Sequence, residues 1–247
     1  MKIQLLFDEL KKQTENKESV FTDSGMINCY NKMQYGFFPF GLGILTENNK
    51  IKEAVPTIEV EEGGVMVLGN DFGTVNYVNS YVNDPDKKIG ETDSKTIINF
   101  LDNVVLDKSK TFFTNFYLGV RLDDGLYKGT NMIKRMYRDK PNKLKDDYKK
   151  LCYDFFIAQL ELVKPRIVIC LGHEVKNALI DSGVSFHQWK PKTGSLEKLY
   201  AREGDKYIIE NMHLKGIHFI VIPHPCYPVN LLKPPYLAKL NAFLESN

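Results

Sequence analysis

Residues 166–181 read RIVICLGHEVKNALID. Arg166 to Leu171 is a continuous apolar, β-branched run after Pro165, and Gly172-His173 closes it. A short apolar run without alternation is how a strand buried on both faces reads. Glu174 to Asp181 follows at once with helical character. A strand, a glycine turn and a helix in this order make half of a βαβ unit, which asks for a parallel neighbour.

Working outward, three more runs have the same form. Val65 to Leu68 leads into Gly69-Asn70-Asp71-Phe72-Gly73, Thr111 to Thr114 leads into Asn115, and Ile217 to Ile222 leads into Pro223-His224-Pro225. Helical stretches are expected between and after them: Ser94 to Asp102, Tyr148 to Leu162 with a broad apolar stripe, and Pro235 to Glu245. Pro165 should stop the second of these. The resulting expectation is an α/β fold: a three-layer αβα arrangement around a central, mostly parallel four-stranded sheet. Residues 1–62 read as an N-terminal extension packed on that core, with a helix near Asp8 to Lys17, and residues 63–247 as the α/β domain.

The chain has 247 residues, 43% hydrophobic and 26% charged, enough for a core that needs no disulfide or metal staple. No run approaches the ~18 apolar residues of a spanning helix, and Asp8 and Glu9 interrupt any export signal at the start. Cys29, Cys152, Cys170 and Cys226 are scattered without a CxxC pair. They read as reduced thiols in a cytoplasmic protein, with Cys170 in the core. Neither a cofactor nor a metal is expected, and no P-loop, dinucleotide fingerprint or HExxH points to a small phosphorylated substrate.

The net charge of +2 argues against a strongly basic nucleic-acid binder, yet it is unevenly spread. Residues 1–62 and 63–127 each carry −3, residues 128–150 carry +6 and residues 151–247 carry +2. The basic block, with Tyr127, Tyr137 and Tyr148 in or beside it, reads either as a solvated face or as a polyanion contact.

In a parallel sheet of this kind ligands bind outside the carboxyl ends of the strands. Those ends carry Asp71, Asn115, His173 and His224. Each also has a plain structural reading: Asp71 as a helix cap, Asn115 as a turn residue, His173 as a neighbour of a helix start. His224, fixed between two prolines, is the hardest to read as filler.

The four segments, in this order, resemble the uracil-DNA glycosylase superfamily over roughly residues 63–245. The family's G-Q-D-P-Y or G-E-A-P-G loop is matched by Gly69-Asn70-Asp71-Phe72-Gly73. Its base-reading Asn is matched in Phe112-Phe113-Thr114-Asn115-Phe116-Tyr117-Leu118-Gly119-Val120-Arg121. Its strand ending in Leu-Gly is matched by Ile167 to His173, and its H-P-S motif by His224-Pro225-Cys226. The resemblance implies a monomeric glycosylase that flips a damaged base out of DNA and hydrolyses its N-glycosidic bond. It implies Asp71 and His224 as catalytic residues: Asp71 at the water or the sugar cation, His224 at the leaving base. It implies Gly69, Asn70, Phe72, Gly73 and Asn115 around the base, and Gly172, His173, Pro225 and Cys226 against the DNA.

The chain departs from the pattern in four places. Phe72 replaces the usual proline, and Gly73 stands where some members place a thymine-excluding Tyr. Cys226 replaces Ser. The stacking Phe has no clear match, leaving Phe72, Tyr77 and Tyr81 as candidates. With one cysteine where iron–sulfur members need four, no cluster is expected. A catalytically weak or inactive nucleobase- or nucleic-acid-binding protein on the same fold is the rival reading. An unrelated doubly wound enzyme acting on a small phosphorylated substrate is a third.

Overall fold

The backbone hydrogen bonds of the apolar runs close into one sheet. A computed structural model describes residues 3–28, 60–76, 103–104, 106–107, 110–122, 144–182, 186–187, 208–210, 216–222 and 234–246. In chain order the elements are α1 (Ile3–Thr14), α2 (Glu18–Thr22), β1 (Met26–Asn28), β2 (Val65–Gly69), β3 (Phe112–Asn115) and β4 (Gly119–Arg121). There follow α3 (Asp146–Val163), β5 (Ile167–Leu171), α4 (His173–Ser182), β6 (Ile208–Glu210), β7 (His218–Ile222) and α5 (Pro234–Ser246).

The main sheet has the order β3-β2-β5-β7-β6. Its first four strands are parallel, as the apolar runs imply. A short antiparallel strand, β6, is added at the β7 edge. Sequence reading does not anticipate β6, nor the separate two-stranded ribbon in which β1 pairs with β4. Three-residue strands carry too little pattern to be seen.

Alternation along the strands divides the core in two. Met66, Leu68, Val168, Cys170 and Phe219 face one cluster, where Leu6 and Leu10 of α1, Phe155 and Phe156 of α3, and Leu179 of α4 cover them. Val65, Val67, Ile169 and Ile220 face a second cluster, covered by Leu240 and Leu244 of α5 together with Val104. Helices therefore lie on both faces, and the fold is the three-layer αβα arrangement expected.

Phe21 and Met26, from the first 28 residues, sit in the first cluster beside Tyr148. The Phe21 and Tyr148 rings meet edge to face, centroids 5.4 Å apart. Helix α3 ends at Val163. Lys164 takes the left-handed conformation there, φ 47°, and returns its N–H to Leu160 O. Pro165 then turns the chain into β5, two residues later than the last helical position. The helix expected over Ser94 to Asp102 lies outside the described residues.

Strands β2 and β3 are sequential neighbours, after which the chain crosses β2 to build β5 and β7 on its other side. The order reverses between β2 and β5. In open parallel sheets such a reversal opens a crevice at the carboxyl edge.

Candidate functional site

The loop after β2 is the best-defined part of that edge. Asn115 of β3 pairs in register with Gly69. Beyond the ladder, Phe116 N–H donates to Gly69 O and Tyr117 N–H donates to Asn70 O, both at 2.9 Å. The ends of the two strands are thus zipped together, and Asp71 is brought to the same edge as Asn115. The Asn115 side chain is 2% exposed and lies across Gly69, whose missing Cβ would collide with Asn115 Oδ1. Only glycine leaves that room.

Three donors fix the Asp71 carboxylate. Gly73 N–H reaches Oδ1 at 2.7 Å and Arg121 Nε reaches the same oxygen at 3.1 Å. The Asn70 side-chain amide reaches Oδ2 at 3.1 Å. Asp71 and Arg121 have only 9% and 15% of their side chains exposed, so the charges are paired where water screens them little. A carboxylate offers about four acceptor positions, so Oδ2 keeps capacity for a water or a substrate group. The Oδ1 of Asn70 is buried and has no hydrogen-bond partner among the described residues, a second acceptor at this edge.

Arg121 is the residue that sequence reading misses. The quoted stretch ends on it, and a cation closing an apolar run is the available signal, but nothing in the sequence pairs it with Asp71. That pairing comes from β4, whose Arg121 N–H donates to Gly73 O at 2.9 Å while Thr74 bridges to Arg121.

Beneath Asn115, on the other face of β3, Thr114 Oγ1 donates to Oε1 of the fully buried Gln159 from α3. At the next strands, Gly172 N–H donates to Ile222 O at 2.7 Å and His173 opens α4. Strand β7 therefore ends beside the turn after β5 at the same edge. His224, Pro225 and Cys226 lie outside the described residues, as do Tyr77 and Tyr81.

Two aromatic expectations change. Phe72 is 1% exposed and belongs to the core cluster, so its ring has no open face for a base, although its backbone is part of the loop. Tyr148 is also fully buried, stacked on Tyr117 with ring centroids 6.1 Å apart, and is no surface partner for a polyanion. Most of the basic block, including Tyr127 and Tyr137, lies outside the described residues.

The described thiols are chemically quiet. Burial pushes the Cys152 thiol up to about 12 against a smaller opposing effect of Leu118 N–H, and burial alone pushes Cys170 up. Thiols held protonated are poor nucleophiles and ligands. No group of three or more His, Cys, Asp or Glu side chains able to hold a metal occurs among the described residues. No helix among them is long and apolar enough to cross a membrane. No protein-family model matches the chain, and a search of curated proteins returns no match.

Proposed function

We propose that this protein is a DNA glycosylase-like hydrolase that releases uracil or a related damaged base after flipping it from the strand. The observation that carries the reading is that Asp71 and Asn115 share one sheet edge, at the zipped carboxyl ends of β2 and β3. The order of motifs in the sequence supports it.

In this reading the C1′–N bond breaks, its electron pair leaves with the base, and a water oxygen bonds to C1′ as one of its protons passes to Asp71. Asp71 Oδ2 orients the water and faces the positive charge that builds on the sugar. The Asn115 amide pairs with the edge of the base. His224 donates to the base carbonyl, where negative charge develops, as oxyanion donors do elsewhere. The protein acts as a monomer in the cytoplasm, with DNA as its partner and no resident cofactor.

The test is base release from uracil-, hypoxanthine-, xanthine- and mismatch-containing oligonucleotides, single- and double-stranded. Asp71→Asn and His224→Ala should each lower the rate by about 10²- to 10⁴-fold. Parent-like rates in both variants would remove the assignment. A second reading is favoured by one observation, the three donors that already engage Asp71. On it the protein binds a nucleobase or nucleic acid without turnover. Salt-dependent binding with no base released from any substrate would select it.

A further inference from the structure

The Asp71–Arg121 pair joins two parts of the chain 50 residues apart. Arg121 is held from both sides. Its N–H donates to Gly73 O, which fixes it to the loop. On its other side β4 pairs with β1, Met26 opposite Arg121, and Leu122 N–H donates to Gly25 O at 3.3 Å. The backbone that carries the guanidinium is therefore clamped between the loop it serves and a strand from the first 28 residues.

The other two holds on the carboxylate are neutral: Gly73 N–H on Oδ1 and the amide of the adjacent Asn70, itself on a rotatable side chain, on Oδ2. Arg121 Nε joins Gly73 N–H on Oδ1 and is the charged donor of the three, so it makes the strongest contribution to holding the group in the plane they share. Asn70 then takes one position on Oδ2.

We propose that Arg121 is a positioning residue: its guanidinium fixes the plane of the Asp71 carboxylate so that Oδ2 is presented to water at the sheet edge, and β1 braces it. The role rests on the glycosylase reading of Asp71. It predicts a loss in the chemical step rather than in DNA binding, because Arg121 acts through Asp71.

The experiment uses the full chain with Arg121→Ala and Arg121→Met, the second keeping the packed stem if the first fails to fold. Crystal structures of both are compared with the parent, and base release is followed on a uracil-containing oligonucleotide. The expected result is a fall in kcat of about 100-fold, the scale set by misplacing a reacting group by about 1 Å. KM should change little, and added methylguanidinium should restore part of kcat in the Ala variant but not in the parent. In the crystals the carboxylate should turn off Gly73 N–H. Unchanged kcat in a folded variant, or a rise in KM alone, overturns the proposal. If the parent releases no base, the functional reading fails by itself. The crystals then decide the geometry, and a carboxylate still seated on Gly73 N–H would overturn the positioning role.

Discussion

The narrowest point in the site is Gly69. Its backbone stands where Asn115 Oδ1 needs space, and the side chain that fills the space is buried. Gly69→Ala cannot be absorbed by the far end of a flexible chain, because the colliding atom belongs to a short, buried amide on a paired strand. The methyl must displace either Asn115 or the ladder between β2 and β3. Overpacking of this kind costs about 1–3 kcal/mol. Base release should suffer more than stability does if Asn115 reads the base, as the proposed function has it. Thermal unfolding and base release measured on the same preparation check this: a variant that melts lower yet keeps the parent rate would show that Asn115 has no part in recognition.

At the scale of elements, the support under the site is the contact between β3 and α3. Thr114 and Gln159 form a buried polar pair in a largely apolar layer, and Gln159 Nε2 has no partner among the described residues. A buried group left unpaired costs about 1–3 kcal/mol, whereas removing both partners can be nearly neutral. Thr114→Val strands the whole Gln159 amide and should destabilise by that amount. Thr114→Val with Gln159→Leu should recover most of the loss. A denaturant double-mutant cycle measures it, and a double variant as unstable as the sum of the single ones would contradict the account. The same contact shows what sequence reading reaches. The stripe Leu151, Cys152, Phe155 and Phe156 announces α3, and the unbroken apolar runs announce four parallel strands, because both signals are local and repeat at a fixed period. The Gln159 and Arg121 partnerships are invisible because each joins residues from different elements with no periodic trace. Asp71 and Asn115 are legible as ends of strands. The ties that orient Asp71 are not. Phe72 misleads for the opposite reason: an aromatic in a loop motif looks available, yet the loop folds it inward to the core.

For the whole molecule, charge and packing give different pictures of the first 28 residues. By charge they belong to an acidic N-terminal half. By packing they are inside the fold: Leu6, Leu10, Phe21 and Met26 are fully buried in the cluster that α3 and the sheet share. Gly119 confirms how tightly that region is closed, since a Cβ there would meet Met26 Cβ at 2.6 Å and Tyr148 Oη at 2.7 Å. An appendage would unfold first and leave the sheet standing. A segment that completes the layer covering the sheet must unfold with it. Leu10→Ala separates these cases. Truncating a fully buried leucine costs about 2–5 kcal/mol, which for a chain of this length lowers Tm by about 10 °C. The loss should appear in one cooperative transition, with backbone and aromatic circular dichroism coinciding, because β1, β4 and Arg121 link the segment to the loop that carries Asp71. Two separated transitions, with only the earlier one shifted by Leu10→Ala, would mean that the N-terminal segment rests on a core that is complete without it, and that the brace behind Arg121 can open while the sheet stays folded.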